Sequence, residues 1–363
     1  MRDSQNEAAR ARTFTPIGIV STLVGLGLFA YFVNRAGVGQ ILAGIQRLQA
    51  GFLLVILISA IRQAARSAAW CLCVERPYRL RFIDAFRARV MGDALGNITP
   101  FVSFMVSEPA KPALIRDRLP LMAGFSAIAI ENIFYSLSVS VFILSGMLAL
   151  LFNFHLPRGF RIASIVVVCV IVLVITLVCA LIRKQLRFVS AGASFLHRRG
   201  VHEKWVQKGR TLEDRIYGFY QRNRRLFIPI LLLEACFHLT GVLEIYVVLS
   251  FISPDQPPTL FTAFILESVN RVINVTFKFI PLRMGIDEAG TGKISKVLQF
   301  AEATGVTLAI IRKARDVFWA AIGILLLLQR GLSLRAVARE SEMALAEQAK
   351  ASTVSGIPAN QSS

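Results

Sequence analysis

The amino-acid sequence predicts an all-α integral membrane protein of about seven to eight transmembrane helices, with two broken, re-entrant segments and an internal repeat. Three observations carry this. Hydrophobic residues make up 55% of the chain and charged residues 17%, against about 25% charged in ordinary soluble domains. Uncharged apolar runs at 17–33 and 162–182 are 17 and 21 residues long, and about 20 residues cross the hydrocarbon core as a helix. At 97–119 and 279–298 the apolar pattern is broken twice by proline or glycine together with charge.

Taken in order, the expected spans are 17–33, 51–75, 120–151, 162–182, 226–252, 259–280 and 305–329. Residues 1–14 form a basic, cytoplasmic N-terminal segment. No small-residue cleavage site follows Val33, so the first run reads as a retained signal anchor. The membrane domain covers 15–330 and contains a basic cytoplasmic loop at 183–225, where 12 lysines and arginines face three acidic residues; basic loops stay inside. Arg76, Arg79, Arg81, Arg87 and Arg89 mark a second such loop. Both fall inside when 91–118 dips into the membrane and returns without crossing. Arg330, Arg335 and Arg339 favour the cytoplasm for the tail as well, but seven crossings leave it outside. Either 281–304 adds a shielded crossing, or the tail, with Glu340, Glu342 and Glu347 diluting its charge, lies outside. Within 183–225 the alternation of aromatic and basic residues fits both amphipathic helices at head-group level and a solvated connector. Residues 331–363 read as a polar helix capped by Ser333, then a disordered end.

The net charge of +19 fits cytoplasmic loops and anionic head groups in a membrane protein, and no nucleic acid is expected. Cys71, Cys73, Cys169, Cys179 and Cys236 lie in or beside apolar runs without paired spacing, so they read as small apolar residues, not disulfides or metal ligands. No metal or cofactor is expected. Gly292-Lys293 is not a phosphate-binding loop: Asp287 stands where that motif needs glycine and Ile294 where it needs a hydroxyl. Gly-x-Ser-x-Gly, His-Glu-x-x-His and acid-rich metal motifs are absent, which speaks against an enzyme.

The two broken segments match each other. In NITPFVSFMVSEPAKPALIRDRL, Pro100 precedes Glu108 and Lys111 follows; in FIPLRMGIDEAGTGKISKVL, Pro281 precedes Glu288 and Lys293 follows. Each leads into a span with a polar pair and a phenylalanine, Glu131-Asn132 with Phe134 and Arg315-Asp316 with Phe318. Transporters carry such interrupted segments in matching halves, at the substrate site. Irregular backbone at membrane depth is tolerated only against protein or a water-filled cavity, so the segments read as the lining of a cavity. Glu267, Asn270, Arg271, Asn274 and Lys278 recur at helical spacing and form one polar stripe; Arg62 and Arg66 repeat four residues apart, and Arg312, Lys313, Arg315 and Asp316 lie within the last span. Charges at such depth pair with one another or line a pathway, and their number predicts a hydrated, positively biased interior. Glu234, His238 and Glu244 read as structural, with His238 hydrogen-bonded to Glu234 four residues earlier.

ITPFVSFMVSEPAKPALI with Glu131-Asn132, and IPLRMGIDEAGTGK with IIRKARDVFWAAIG, resemble the two signature regions of the flippase-like membrane domain of lysylphosphatidylglycerol synthetases and their stand-alone relatives. The resemblance spans about 15–330 and departs from the family's Gly-Gly-Glu pattern at Val106-Ser107-Glu108. It implies broken, re-entrant helices and movement of lipids between leaflets. The substrate is then an anionic or aminoacylated phospholipid, or a polyprenyl- or hopanoid-type lipid, with a lipid-synthesis enzyme as partner. No counterpart of the soluble aminoacyl-transfer domain follows residue 330.

The expected function is lipid transport in the inner membrane, with the N-terminus in the cytoplasm. Arg271, Arg283, Lys293, Arg312 and Arg315 attract a phosphate; Glu108, Glu288 and Asp316 balance that charge or hold a cationic part; Gly285, Gly290 and Gly292 permit close backbone approach. Lys111, Glu131, Glu267, Asn270 and Asp287 complete the candidate substrate-binding set, and no residue is assigned a catalytic role. Two other readings stand beside this one: a membrane enzyme acting on a lipid phosphate with Glu108 or Glu288 as base, and an accessory subunit without activity of its own.

Overall fold

The computed structural model describes residues 38–98, 103–184, 215, 218–277, 283 and 285–329. Among them every regular element is a helix: α1 Val38–Leu48, α2 Gly51–Leu72, α3 Phe82–Ile98, α4 Ser103–Ala113, α5 Leu121–Asn153, α6 Arg158–Lys184, α7 Phe227–Ile252 after a 3-10 turn, α8 Leu260–Thr276, α9 Ile286–Val297 and α10 Glu302–Gln329. The first expected span, 17–33, lies outside the described residues, as do the tail after Gln329 and most of the basic loop.

Among the described residues four helices are long and apolar enough to cross a membrane: α2, α5, α7 and the 158–177 part of α6. The last is a 27-residue apolar helix that packs against α5; only 6% of its most apolar window is buried by protein, so lipid covers the rest. α10 is long enough too, at 28 residues, or about 42 Å at 1.5 Å per residue, but Arg312, Lys313, Arg315 and Asp316 sit in its middle. In contrast, α4 and α9 have 11 and 12 residues and reach about 16–18 Å, half of what crossing needs. Pro109 and Pro112 lie within α4 and withdraw two backbone donors; it stops at Ala113. α9 begins at Gly285, where φ is 81°, a conformation that glycine adopts without strain. The Gly285 N–H donates to Glu288 Oε2 at 2.9 Å. α8 opens on a reciprocal cap, with Thr262 N–H donating to Thr259 Oγ1 and Thr259 N–H to Thr262 Oγ1.

The helices form two matching groups of five, α1–α5 and α6–α10. α2 packs on α3 as α7 on α8, α3 on α4 as α8 on α9, and α4 on α5 as α9 on α10. Between groups, α3 packs on α10 as α8 packs on α5, while α10 packs on α1 as α5 packs on α6. The central pair, α2 and α7, runs antiparallel: Gly51 faces Phe251, Arg62 bonds Glu244, and the Arg66 guanidinium lies over Phe237. Equivalent helices that run in opposite directions make the repeat an inverted one.

Burial follows the same plan. One hydrophobic core gathers α3 and α4 with Ala69, Trp70, Ile128, Phe134, Ile230 and Leu327. The other gathers residues of α8 and α9 with Val55, Met147, Leu249, Leu308 and Ile311. Thus α2, α5, α7 and α10 each begin in one core and finish in the other, and the hairpins α3–α4 and α8–α9 lie at opposite ends of the bundle. The two broken segments expected from the sequence are these hairpins.

Candidate functional site

Between the two cores lies a layer of buried charge. At its centre in the first half is Glu131 on α5, fully buried. Its Oε1 accepts from Arg66 Nε at 2.8 Å and Arg89 Nη2 at 3.1 Å, so a carboxylate sits between two guanidiniums from α2 and α3. The second half has the reverse. Arg315 on α10 donates to Glu244 of α7 and to Asp316; Glu267 of α8 is bonded by Arg271. Arg62 of α2 joins the halves, at 2.9 Å from Glu244 Oε2 and 3.6 Å from Glu267 Oε1.

These partners occupy equivalent positions of the repeat. Arg66, Arg89 and Asp93 stand 178 residues before Glu244, Glu267 and Arg271, and Glu131-Asn132 stand 184 before Arg315-Asp316. The sign of the charge is reversed at each of the first four pairs. One half holds plus-minus-plus where the other holds minus-plus-minus. A buried carboxylate or guanidinium is tolerable only when paired and hydrogen-bonded, and the reversal gives each half its own matched set.

Phe237 of α7 lies where the sets meet. Its ring is 4.8 Å from the Arg62 guanidinium, 4.7 Å from Arg271 and 5.7 Å from Arg66, and Tyr135 packs against its edge and under Arg66 at 3.9 Å. The ring face attracts cations, and so partly compensates three like charges brought together. Phe237→Leu keeps most of the apolar bulk and removes the quadrupole; a loss of about 1–3 kcal/mol of stability is expected, read as a lower midpoint in thermal unfolding of the detergent-solubilised protein.

The short helices reach the layer through the glutamates that the repeat matches. Glu108 of α4 accepts from Asn132 of α5 at 2.9 Å and from Lys111 at 2.8 Å, and Lys111 also meets Asp93 of α3 at 3.0 Å. Glu288 of α9 is bonded by Lys313 of α10. Nearby, Arg283 bridges Asp287 and Asp316 at 3.1 and 3.2 Å, and Arg312 donates to Thr291 Oγ1 at 2.9 Å. The polar stripe of α8 is a hydrogen-bonded string: Asn270 and Arg271 donate to Glu267, and Asn274 donates to Asn270. Lys278 lies outside the described residues.

Of the candidate residues, twelve meet in this layer, Glu108, Lys111 and Glu131 on one side and Glu267, Asn270, Arg271, Arg283, Asp287, Glu288, Arg312, Arg315 and Asp316 on the other. Three do not. Lys293 is exposed on α9. Gly290 faces Ile273 of α8, and Gly292 faces Glu302 and Val306 of α10, so both serve helix packing rather than backbone approach by a ligand. The expected positive bias proves small: nine lysines and arginines of the layer stand against eight aspartates and glutamates. His238 does not bond Glu234. Its Nε2 pairs with Ser138 Oγ at 3.1 Å and its ring stacks on Phe142, while both Glu234 oxygens are buried without a hydrogen bond. Arg62, Arg66, Arg89, Asp93, Glu244 and Lys313 complete the layer from outside the candidate set. Arg62, Arg66 and Glu244 are visible in the sequence as charges within apolar runs, but the pairing of Glu244 with Arg62, 182 residues away, is not.

The sequence model of one family, the lysylphosphatidylglycerol synthase transmembrane region, matches residues 18–323. The chain belongs to this family. No curated protein and no solved structure matches it. The lysylphosphatidylglycerol synthase match contains the whole charged layer, from Arg62 to Asp316, and both hairpins. Membership places the chain among membrane proteins of lipid modification or transport.

Proposed function

We propose that the protein is a lipid transporter that passes polar head groups across the bilayer through the charged layer while acyl chains stay in lipid. One observation carries this: a polar layer of nearly balanced charge is buried between two apolar cores, and a hairpin reaches it from each end. Intramembrane charge of this amount is costly and marks pathways. A head group carrying both phosphate and cation can exchange partners with arginines and glutamates that are already paired with one another. The reading requires no covalent step, and the protein acts without a cofactor. The chain lies in the inner membrane with its N-terminus in the cytoplasm, and its substrate is an anionic or aminoacylated phospholipid or a related polar lipid.

Purified protein in liposomes containing labelled anionic and aminoacylated phospholipids tests this. Leaflet exchange is expected for the wild type and for Lys296→Ala, an exposed position, and not for Glu288→Ala or Arg315→Ala that remain monodisperse. Equal background exchange in all four would refute autonomous lipid transport.

A further inference from the structure

We propose that the two hairpins are separate doors, α3–α4 facing the cytoplasm and α8–α9 facing the opposite side, and that each is held shut by its own glutamate latch. The inference rests on the membrane-transport reading and adds sidedness and gating to it. Loop charges set the sides. At the α3–α4 end the chain exposes Arg76, Arg79, Arg81, Arg116 and Arg118, and Phe219, within the last residues of the basic loop, packs into that core. At the other end, the connections 154–157, 253–259 and 298–301 contain no lysine or arginine. Arg47, Arg158, Arg161, Lys293 and Lys296 are the basic residues near that end among those described, fewer than the 12 of 183–225. Basic connections remain cytoplasmic. α10, descending from the second core to the first, then ends inside, so the arginines of the tail follow on the cytoplasmic side and the parity conflict of the sequence disappears. The pair α8–α9 enters and leaves on one face, which is why neither 259–280 nor 281–304 needs to count as a crossing.

The latches are equivalent in the repeat. Glu108 ties α4 to α5 through Asn132, and Glu288 ties α9 to α10 through Lys313. Behind each lies a tightly closed seam: Pro112 is buried against Gly124, and Ser295 against Gly305. Because each latch belongs to one hairpin, either seam can part while the other remains closed, giving head groups access to the layer from one leaflet at a time.

Cysteine labelling tests sides and latches without any transport measurement, so its failure is distinguishable from failure of the lipid reading. In a cysteine-free background in cells, membrane-impermeant maleimide is expected to label Ala301→Cys from outside, and Asp117→Cys only after the membrane is opened. Buried Pro112→Cys and Ser295→Cys report the seams. Asn132→Ala should raise labelling of Pro112→Cys about tenfold, from the cytoplasmic face only, as loss of one hydrogen bond to a charged group does to an opening equilibrium. Lys313→Met should do the same to Ser295→Cys from outside only. Asn132→Gln and Lys313→Arg, which keep a donor at each latch and so alter it less, serve where the first variants do not fold. Labelling of both exposed positions from one face overturns the sidedness. Response of both seams to one latch, or of neither seam to its own, overturns the doors.

Discussion

Glu131→Ala should destabilise the protein by about 3–5 kcal/mol, because it strands the Arg66 and Arg89 guanidiniums in the interior. Both arginines converge on the same oxygen, Oε1, and Arg89 is 1% exposed, so water does not replace the lost partner. The same physics predicts the opposite for the triple variant Arg66→Met, Arg89→Met, Glu131→Met. Replacing a whole buried ion set by apolar residues of similar volume is often neutral or stabilising. Thermal unfolding in detergent therefore ranks the triple variant at or above the wild type and the single variant far below it, while leaflet exchange is lost in both. A single variant that melts like the wild type would mean that the guanidiniums find other acceptors, and the triad would not organise this half.

Glu244→Ala is the mirror experiment, and an effect of similar size, about 3–5 kcal/mol, is expected. Glu244 is 1% exposed and holds Arg62 with one oxygen and Arg315 with the other. Its removal leaves Arg62 beside Arg271 at the Phe237 ring with Glu267 to compensate it, and leaves Arg315 with Asp316. Lys293→Ala on exposed α9 should stay within about 0.5 kcal/mol. Denaturant titration of the three proteins side by side checks the ranking; equal midpoints for Glu244→Ala and Lys293→Ala would remove Glu244 from the layer's framework.

What could be read in the sequence depended on where the partner of each residue lies. Interrupted segments show themselves locally: proline, glycine and charge within a few residues announced α4 and α9, and the Glu108 and Glu288 contacts follow from that match. The stripe Glu267, Asn270, Arg271, Asn274 was legible from helical periodicity, as its bonds stay within one helix. The correspondence of α2 with α7 and of α3 with α8 was not. Similarity of residue type is the usual sign of a repeat, and here Arg66 answers to Glu244 and Arg89 to Glu267. Glu234 and His238 were misread for a related reason: a spacing of four permits a bond, but Phe142 and Ser138 of α5 compete for the ring and turn it away. Counting basic residues also overstated the positive charge of the interior, since Asp93, outside every expected span, and Glu244, whose partner lies far away in the chain, supply much of the balance.

The reversal of sign also bears on how such a chain can be divided or duplicated. A doubled molecule made from two copies of α1–α5 would put an arginine where Glu244 stands, opposite Arg62, and an arginine again where Glu267 stands. Self-association of the first half is thereby disfavoured by its own charges, and the corresponding dimer of α6–α10 would gather carboxylates in the same place. Each half is an electrostatic key to the other alone, so the fused architecture is a hetero-pair written on one polypeptide, and separated halves would be expected to recognise each other before themselves.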